Sequence, residues 1–224
     1  QTTIEAIKLN LDGIKKISKE RILSELFKIL CTKNFVKLNN NHHLKSIFSL
    51  IFPEFKNLER LDRLETVLGQ SNFDKETLLA VLLIDESNSH EYFLHKYNVS
   101  NDLRKNLNLT AKNFTNLQSN KKFFLKDLKK NIYFFGRKHL TALNALYFSN
   151  NKKAKLKDYL DILSNIKKLN IPKFSFDGNY LKAKGMKEGA LMGKTLEIVE
   201  HEWLDNDFEI SNERVLEIIR AQNN

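Results

Sequence analysis

The sequence predicts an all-α protein built as a multi-helix bundle, and three observations lead to this prediction. Apolar residues recur at steps of three and four along almost the whole chain, which is the period of a helix and not of a strand. Alternating apolar and polar runs, the signal of a half-buried strand, are weak. Only two prolines, Pro53 and Pro172, interrupt the 224 residues, so helices can extend nearly everywhere.

The first two predicted helices cover residues 3–17 and 19–30. Gly13 weakens the end of the first by on the order of 1 kcal/mol relative to alanine. Ser18 is the predicted N-cap of the second, because a serine hydroxyl accepts a hydrogen bond from an otherwise unpaired amide. The broad apolar face of the second helix predicts a largely buried element, formed by Ile22, Leu23, Leu26, Phe27, Ile29 and Leu30.

The helical pattern continues to a break at Ile171-Pro172. It predicts helices at 35–52, 58–68, 74–84, 90–97, 101–117, 123–135, 138–148 and 152–169. Asp74 is the predicted N-cap of the helix at 74–84, and residues 85–89 are typical of a polar loop. Past the break we expect short helices at 177–185, 187–204 and 212–221, so the break is the best boundary between a body and a small helical tail.

The net charge of +10 is spread unevenly along the chain. Residues 121–157 contain eleven Lys and Arg residues and one acid, Asp127, whereas residues 196–224 contain eight acids and two arginines. A basic middle with an acidic end indicates a surface that binds a polyanion. Solvated helix faces would give the same pattern, so both interpretations stay open. Aromatic residues between the cations can stack on bases, but we expect most of them in the core.

Signals of catalysis and of metal binding are weak. His90 and His95 resemble a zinc-protease pair, but their spacing places them about 140° apart around a helix, so one zinc ion cannot bind both. Asp205 and Asp207 match an Asp-x-Asp pair, yet they follow a predicted helix in a polar stretch, where we expect a solvated turn. We predict no metal site. The only cysteine, Cys31, should be a buried structural thiol, and a lone cysteine fits a reducing cytoplasm.

The start of the chain shows no targeting signal. It lacks a basic region followed by an apolar one, so it is not a signal peptide. No apolar run approaches the ~20 residues of a transmembrane helix, and we expect no membrane partner. Gln1 in place of methionine predicts that the natural chain extends upstream.

The most distinctive stretch is Phe176 to Trp203, which contains four of the seven glycines, Gly178, Gly185, Gly189 and Gly193. Asp177 should cap a short helix that ends at Gly185. The helix after the turn carries an apolar stripe of Met192, Leu196, Val199 and Trp203. Lys182, Lys184, Lys187 and Lys194 surround the turn, where free helix amides can hold a phosphate backbone. Tight helix packing would explain Gly189 and Gly193 equally well.

Two stretches resemble the C-terminal region of the tRNA nucleotidyltransferase and poly(A) polymerase family, specifically the bacterial CCA-adding enzymes. In residues 17–30, ISKERILSELFKIL, a Ser-x-Glu-Arg start opens a helix that ends in Glu-Leu-x-Lys-x-Leu. The tail pattern consists of Asp177-Gly178, Leu181, three further glycines and Trp203. The segment SLIFPEF, residues 49–55, also resembles the family's body. Together the stretches span nearly the whole chain in the family's order.

The resemblance implies neck helices at 1–33, a helical body at 34–170 and a helical tail at 171–224. Glu20 and Arg21 would brace the nucleotide-selecting segment without taking part in the chemistry. The complete enzyme would add CCA to the 3′ end of tRNA from CTP and ATP with Mg²⁺, while this region holds the tRNA. We expect RNA contacts from Lys121, Lys122, Lys129, Lys130, Arg137, Lys138, Lys152, Lys153, Lys182, Lys184, Lys187, Lys194, Gly185 and Gly189.

The sequence departs from the family in two respects. Glu188 stands where the family often has proline, and it places a negative charge beside the turn. The Gly-Ser turn and paired metal-binding carboxylates of the catalytic head have no match, and neither has the arginine-bearing motif that selects the base. We therefore expect this chain alone to hold no cofactor and to be inactive, with the head upstream on the same polypeptide. A poly(A) polymerase of the same family and a non-catalytic helical protein-interaction module are the alternatives.

Overall fold

The computed structural model describes residues 2–14, 16–120 and 122–223, and within these ranges the chain forms helices and no strand. The predicted all-α class is therefore confirmed. In chain order the helices are α1 (Thr2–Leu9), α2 (Leu11–Ile14), α3 (Lys19–Leu30), the 3-10 helix η1 (Phe35–Asn40), α4 (His42–Ile51), α5 (Arg60–Glu65), α6 (Lys75–Leu83), α7 (Ser89–Lys96), α8 (Asn101–Ser119), α9 (Leu128–Asn150), α10 (Leu156–Lys168), α11 (Gly178–Ala183), α12 (Ala190–Asp205) and α13 (Asn212–Asn223).

The chain divides into two units, residues 1–169 and residues 170–224. The first unit contains α1 to α10, and the second contains α11 to α13. The three-part division into neck, body and tail stays a prediction. None of the helices in the described ranges has the length and apolar content needed to cross a lipid bilayer.

The single helix predicted at residues 3–17 is wrong, because α1 ends at Leu9 and α2 begins at Leu11. The side-chain amide of Asn10 donates to the carbonyl oxygen of Ala6 at 2.8 Å. Asparagine side chains compete in this way with the backbone bonds that would continue a helix. The apolar period survives the break, so periodicity alone does not reveal it.

The helix predicted at 35–52 is likewise divided, into η1 and α4. Asn41 separates them and is the N-cap of α4, since its side-chain oxygen accepts from the amide of Leu44 at 3.1 Å. The side chain of Asn40 donates instead to the carboxylate of Glu65 in α5. Consecutive asparagines thus end one helix and start the next.

Three predicted N-caps are confirmed. Ser18 Oγ accepts from the amide of Arg21 at 3.3 Å at the start of α3. Asp74 Oδ1 accepts from the amide of Thr77 at 2.8 Å at the start of α6. Asp177 accepts from the third residue of α11 in the same way. Side-chain oxygens before an apolar run are therefore the local signal that located helix starts best.

The core of the first unit is built around α6. Every residue from Thr77 to Leu83 is buried, so this helix is enclosed on all sides rather than amphipathic. Next to it, an aromatic cluster joins α4 to α7, with Phe48, Phe52, Phe55, Phe93 and Tyr97 at ring-centroid distances of 4.8–6.3 Å. This apolar centre gives the outer helices fixed positions.

Two arginines of α5 tie the ends of neighbouring helices together. Nη1 of the buried Arg60 donates to the carbonyl oxygens of Val81 and Ile84, at 2.8 and 2.7 Å. Its Nη2 donates to Asn150 Oδ1 at 2.6 Å. Arg63 donates to the carbonyl of Phe148 and to two carbonyls in the turn after α9. These guanidinium groups satisfy carbonyls that the ends of α6 and α9 leave unpaired.

Helix α9 contains one non-helical residue, Gly136, with φ 78° and ψ 160°. Gly136 divides α9 into two helical segments, so the predicted division between the helices at 123–135 and 138–148 is present, although the first segment begins at Leu128. A positive φ of this size is far easier for glycine than for any other residue. Residues 123–127 form turns and not the first helical turn that was predicted.

The second unit packs three helices around one small apolar core. Leu181, Met186, Met192, Val199, Val215, Ile218 and Ile219 form its buried cluster. Helix α11 ends as predicted near Gly185, where the amides of Gly185 and Met186 donate to the carbonyls of Lys182 and Leu181. This paired arrangement is a Schellman motif, and Gly185 takes its left-handed position with φ 91°.

Candidate nucleic-acid interface

Glu20 and Arg21 lie in the first turn of α3, and both side chains are exposed. Their predicted role as a brace stays a prediction, because no second segment lies against them among the described residues. The Ser18 cap fixes the start of α3, and it thereby fixes the backbone positions of Glu20 and Arg21. Glu20 also suits the positive end of the helix dipole.

The expectation that α3 is largely core is wrong. Only Leu26 and Leu30 are buried, and Ile29 is 41% exposed. Phe27 is half-buried with the Lys75 ammonium 4.5 Å above its ring. Within the first unit, α3 therefore packs along a narrow stripe and leaves much of its apolar face uncovered.

Cys31 is exposed, which corrects the prediction of a buried thiol. It is the C-cap of α3, and the chain turns away immediately afterwards, so the thiol leaves the apolar stripe. The apolar sequence of α3 suggested that Cys31 is buried, but Cys31 lies at the C-cap of the helix, where its side chain is exposed.

The predicted cations of the middle window fall into different structural situations. Lys121 lies outside the described residues. Lys122, Lys152 and Lys153 are exposed, whereas Lys129 and Lys130 are half-buried and have interactions within the protein. Lys152 and Lys153 sit in the turn between α9 and α10. Because no carboxylate pairs with these two lysines in the described ranges, their charge is available to a polyanion.

Arg137 and Lys138 are committed to intramolecular contacts. Arg137 donates to the carbonyl oxygens of Ile166 and Leu169, and so caps the C-terminal end of α10. Lys138 Nζ lies 3.2 Å from both Asp74 and Glu76. Its hydrogen bond to Glu76 and its contact with Asp74 hold the pKa of Lys138 above its usual range. An RNA phosphate would have to compete with these partners.

The aromatic residues of this window are mostly interior, as predicted. Phe123, Phe124 and Tyr159 are buried, and Tyr133, Phe135 and Tyr147 are half-buried. Phe134, at 52% exposed, is the ring of this set most accessible to a stacking base.

In the tail turn, two of the four lysines have partners. Lys182 pairs with Glu188, and the Lys184 ammonium lies 5.7 Å from the Tyr180 ring centroid. Lys187 and Lys194 are exposed. Glu188, the residue that departs from the family pattern, therefore neutralises one of the predicted phosphate contacts.

The interpretation of Gly189 and Gly193 as sites of tight helix packing is wrong. A methyl group added at either position would meet no atom within 4 Å. Gly189 has φ 149° and directly precedes α12, which begins at residue 190 and not near Lys187 as predicted. Gly189 thus serves the backbone turn. The predicted stripe of α12 is confirmed, with Met192, Val199 and Trp203 buried and Leu196 half-buried.

A furrow that the sequence did not reveal lies where α3 and η1 meet the loop 68–73. Its first depression, of about 480 Å³, has a mixed lining, with apolar residues such as Leu30, Val36 and Leu78 beside the polar Thr32, Lys33, Asn34, Lys37 and Asn72. Its second depression, of about 280 Å³, is lined by residues that include Gln70, Thr141 and Lys167. Gly69, Ser71 and Asn72 line both, so the two depressions meet at the loop. We call them together the 68–73 furrow.

An apolar groove adjoins the first depression and shares Thr32, Asn34 and Lys37 with its lining. Its volume is about 570 Å³, and it is lined mainly by Ile29, Phe35, Leu38, Leu44, Ile47 and Phe48. The segment from Leu26 to Pro53 supplies this lining and contains four lysines, two histidines and no acid. We call this segment, residues 26–53, the α3–α4 region. It lines the groove and part of the first depression of the furrow.

No group of three or more His, Cys, Asp or Glu side chains converges as a metal-binding cluster within the described ranges. His90 is buried while His95 is exposed, so these two histidines face apart. Asp205 and Asp207 are exposed at the end of α12. The residues described here do not fit a two-metal nucleotidyl-transfer site.

Residues 1–58 match a family model described as "Probable RNA and SrmB- binding site of polymerase A". The matched segment covers about a quarter of the chain and contains α1 to α4. The match supports the resemblance of this segment to the RNA-binding region of the poly(A) polymerase and CCA-adding family. No curated protein matches the sequence.

Proposed function

We propose that this chain is the RNA-binding region of a template-independent nucleotidyltransferase of the poly(A) polymerase and CCA-adding type. The observation that carries the proposal is the match of residues 1–58 to the RNA-binding segment of polymerase A. The net charge of +10 agrees with a polyanionic partner, because a basic protein surface gains affinity by releasing counterions from RNA.

The finer proposal is that the RNA is tRNA and that the complete enzyme adds CCA from CTP and ATP with Mg²⁺. Its support is the resemblance of residues 17–30 and of the tail stretch to the CCA-adding enzymes. The same resemblance assigns catalysis and Mg²⁺ binding to a head on the same polypeptide. The role of this chain is to bind and orient the RNA, and we place the enzyme in the cytoplasm.

A salt titration of RNA affinity tests the binding part of the proposal. With six to ten phosphate contacts, affinity for tRNA should fall by about 10³- to 10⁵-fold between 50 and 200 mM salt. An affinity that does not change with salt would remove the basic surface as the footprint. Absence of any RNA binding at 50 mM salt would overturn the proposed function.

Nucleotide addition is tested with the complete natural polypeptide on tRNA that lacks its 3′ end. Sequencing of the product separates CCA addition from poly(A) addition. The 224 residues by themselves should add nothing, because they lack the paired carboxylates. Measurable incorporation by this chain alone would overturn that assignment.

A protein-interaction module is the second candidate, and the apolar groove of the α3–α4 region favours it. Ile29 and Leu44 in its lining are 41% and 48% exposed, and the description of the matching family names a protein partner, SrmB, beside RNA. A module that binds protein alone would show no salt-dependent affinity for tRNA or for unpaired RNA. The titration above therefore distinguishes the two candidates.

A further inference from the structure

We propose that the 68–73 furrow holds unpaired nucleotides of the RNA. This inference rests on the proposed function and adds a location and a type of RNA to it. The lysines that line the furrow, Lys33, Lys37 and Lys167, are not among the RNA contacts predicted from the sequence. Its first depression is partly built by residues 30–37, inside the segment that matches the RNA-binding family model.

The charge of the furrow favours a phosphate backbone. Lys33 and Lys37 line the first depression and Lys167 lines the second, and all three side chains are exposed. Neither depression has a carboxylate in its lining, although the chain contains 27 acids. The described residues also provide no ion-pair partner for Lys33 or Lys37. Their full charge is thus available to phosphate oxygens, in contrast to that of Lys138.

The shape of the furrow and its mixture of amide and aromatic side chains favour unpaired bases over a duplex. A base can enter a concave depression of 280 to 480 Å³ only after it leaves its stack. The amides of Asn34, Gln70 and Asn72 offer donors and acceptors to a base edge. The half-buried ring of Phe73 lines the first depression, where a base can stack on it.

Loop 68–73 joins the two depressions, which sets the minimum length of the ligand. Gly69, with φ 92°, holds the turn at which they meet, and a side chain is poorly accommodated in that conformation. A chain of at least two nucleotides is needed to occupy both sides at once. A free mononucleotide offers one base and one phosphate and so fills at most one depression.

The test compares two charge-matched double variants of the 224-residue chain, Lys33→Ala/Lys37→Ala and Lys56→Ala/Lys105→Ala. All four lysines are exposed, so neither variant should alter folding. Fluorescence anisotropy measures affinity for a six-nucleotide unpaired RNA and for a blunt RNA duplex as salt is varied. The furrow variant should reduce the salt slope for unpaired RNA by about 1.4, from two lost contacts at about 0.7 each. Its effect on the duplex should equal that of the control.

Phe73→Leu tests the stacking contact without a change of charge. It should weaken binding of the unpaired RNA by about fivefold or more, with an unchanged melting temperature. AMP or CTP at millimolar concentration should not displace the RNA.

Equal losses in the furrow and control variants would overturn the inference while leaving RNA binding intact. Displacement by a mononucleotide would also overturn it. If the unchanged chain bound no RNA, the proposed function would fail first.

Discussion

Two groups of cations in this protein look alike in the sequence but differ in what they do. Arg60, Arg63 and Arg137 direct their guanidinium groups at backbone carbonyls and hold helices together. Lys33, Lys37, Lys152 and Lys153 are exposed and have no carboxylate partner among the described residues. Counting charges in a window adds these groups together. Only the second group has charge to offer to a polyanion, so the available charge is smaller than the formal charge.

The largest expected effect in this comparison comes from Arg60→Met. The substitution leaves the carbonyls of Val81 and Ile84 without their donor in a buried site, and it also removes a part-buried bond to the amide oxygen of the exposed Asn150. Each unsatisfied acceptor costs about 1–3 kcal/mol, so we expect a loss of roughly 3 kcal/mol or more in the free energy of unfolding. Urea denaturation measures it, with the exposed Lys56→Met as the control. A loss below that of the control would show that water or relaxation replaces the guanidinium.

Arg137→Ala should have the next largest effect. It removes the donor to two carbonyls at the end of α10, and the net value of a hydrogen bond that involves a charged group is about 1.5–3 kcal/mol. Part of this is recovered by water, because the site is at the surface, and we expect a loss of about 1–2 kcal/mol. Lys152→Ala is the matched control from the same basic window and should change stability by less than about 0.5 kcal/mol. Equal stability of the two variants would place Arg137 among the available cations.

Acidification should weaken the first unit through His139. Burial lowers the pKa of His139 from its ordinary value of 6.5, and Asn113 is its hydrogen-bond partner at 3.1 Å. The unfolded chain therefore binds the proton more readily, and stability falls as the pH drops below about 6.5. The contribution of one histidine is at most about 1.4 kcal/mol per pH unit. His139→Gln, which can keep a bond to Asn113, should show a shallower dependence between pH 7 and 5 by urea titration. An identical slope would assign the loss elsewhere.

The fold class and several helix starts could be predicted because they depend on local chemistry. Ser18, Asp74 and Asp177 cap their helices in the structure as their neighbours in sequence indicate. The breaks at Asn10 and Asn41 could not be predicted from periodicity, because the apolar pattern continues across both positions while the asparagine side chains bond to nearby backbone groups.

The exposure of individual side chains was harder to predict than the positions of the helices. Cys31 and Ile29 belong to an apolar helix and yet are exposed, since burial depends on which helices pack against that face. The 68–73 furrow combines residues from 30–37 and 68–73 with Thr141, Leu163 and Lys167, which no local pattern connects. The partners of Arg137 and Lys138 lie about thirty to sixty positions away in the sequence. The number of charges in a sequence window therefore does not distinguish Arg137 and Lys138, which have partners within the protein, from lysines that are available to RNA.

The smallest effects on stability are expected at exposed lysines, where Lys138 and the pair Lys152 and Lys153 should differ in their effect on RNA binding. Its ion pairs with Asp74 and Glu76 lie at the surface, where such pairs contribute about 0–1 kcal/mol. Lys138→Ala should therefore cost less than about 1 kcal/mol by urea denaturation and leave RNA affinity nearly unchanged. Lys152→Ala/Lys153→Ala should leave stability unchanged and reduce the salt slope for unpaired RNA by about 1.4, from two lost contacts at about 0.7 each. If Lys138→Ala reduced the salt slope by about 0.7, as each of Lys152 and Lys153 should, the Lys138 ammonium would have to leave Asp74 and Glu76 when RNA binds. The division between structural and available cations would then hold only in the free protein.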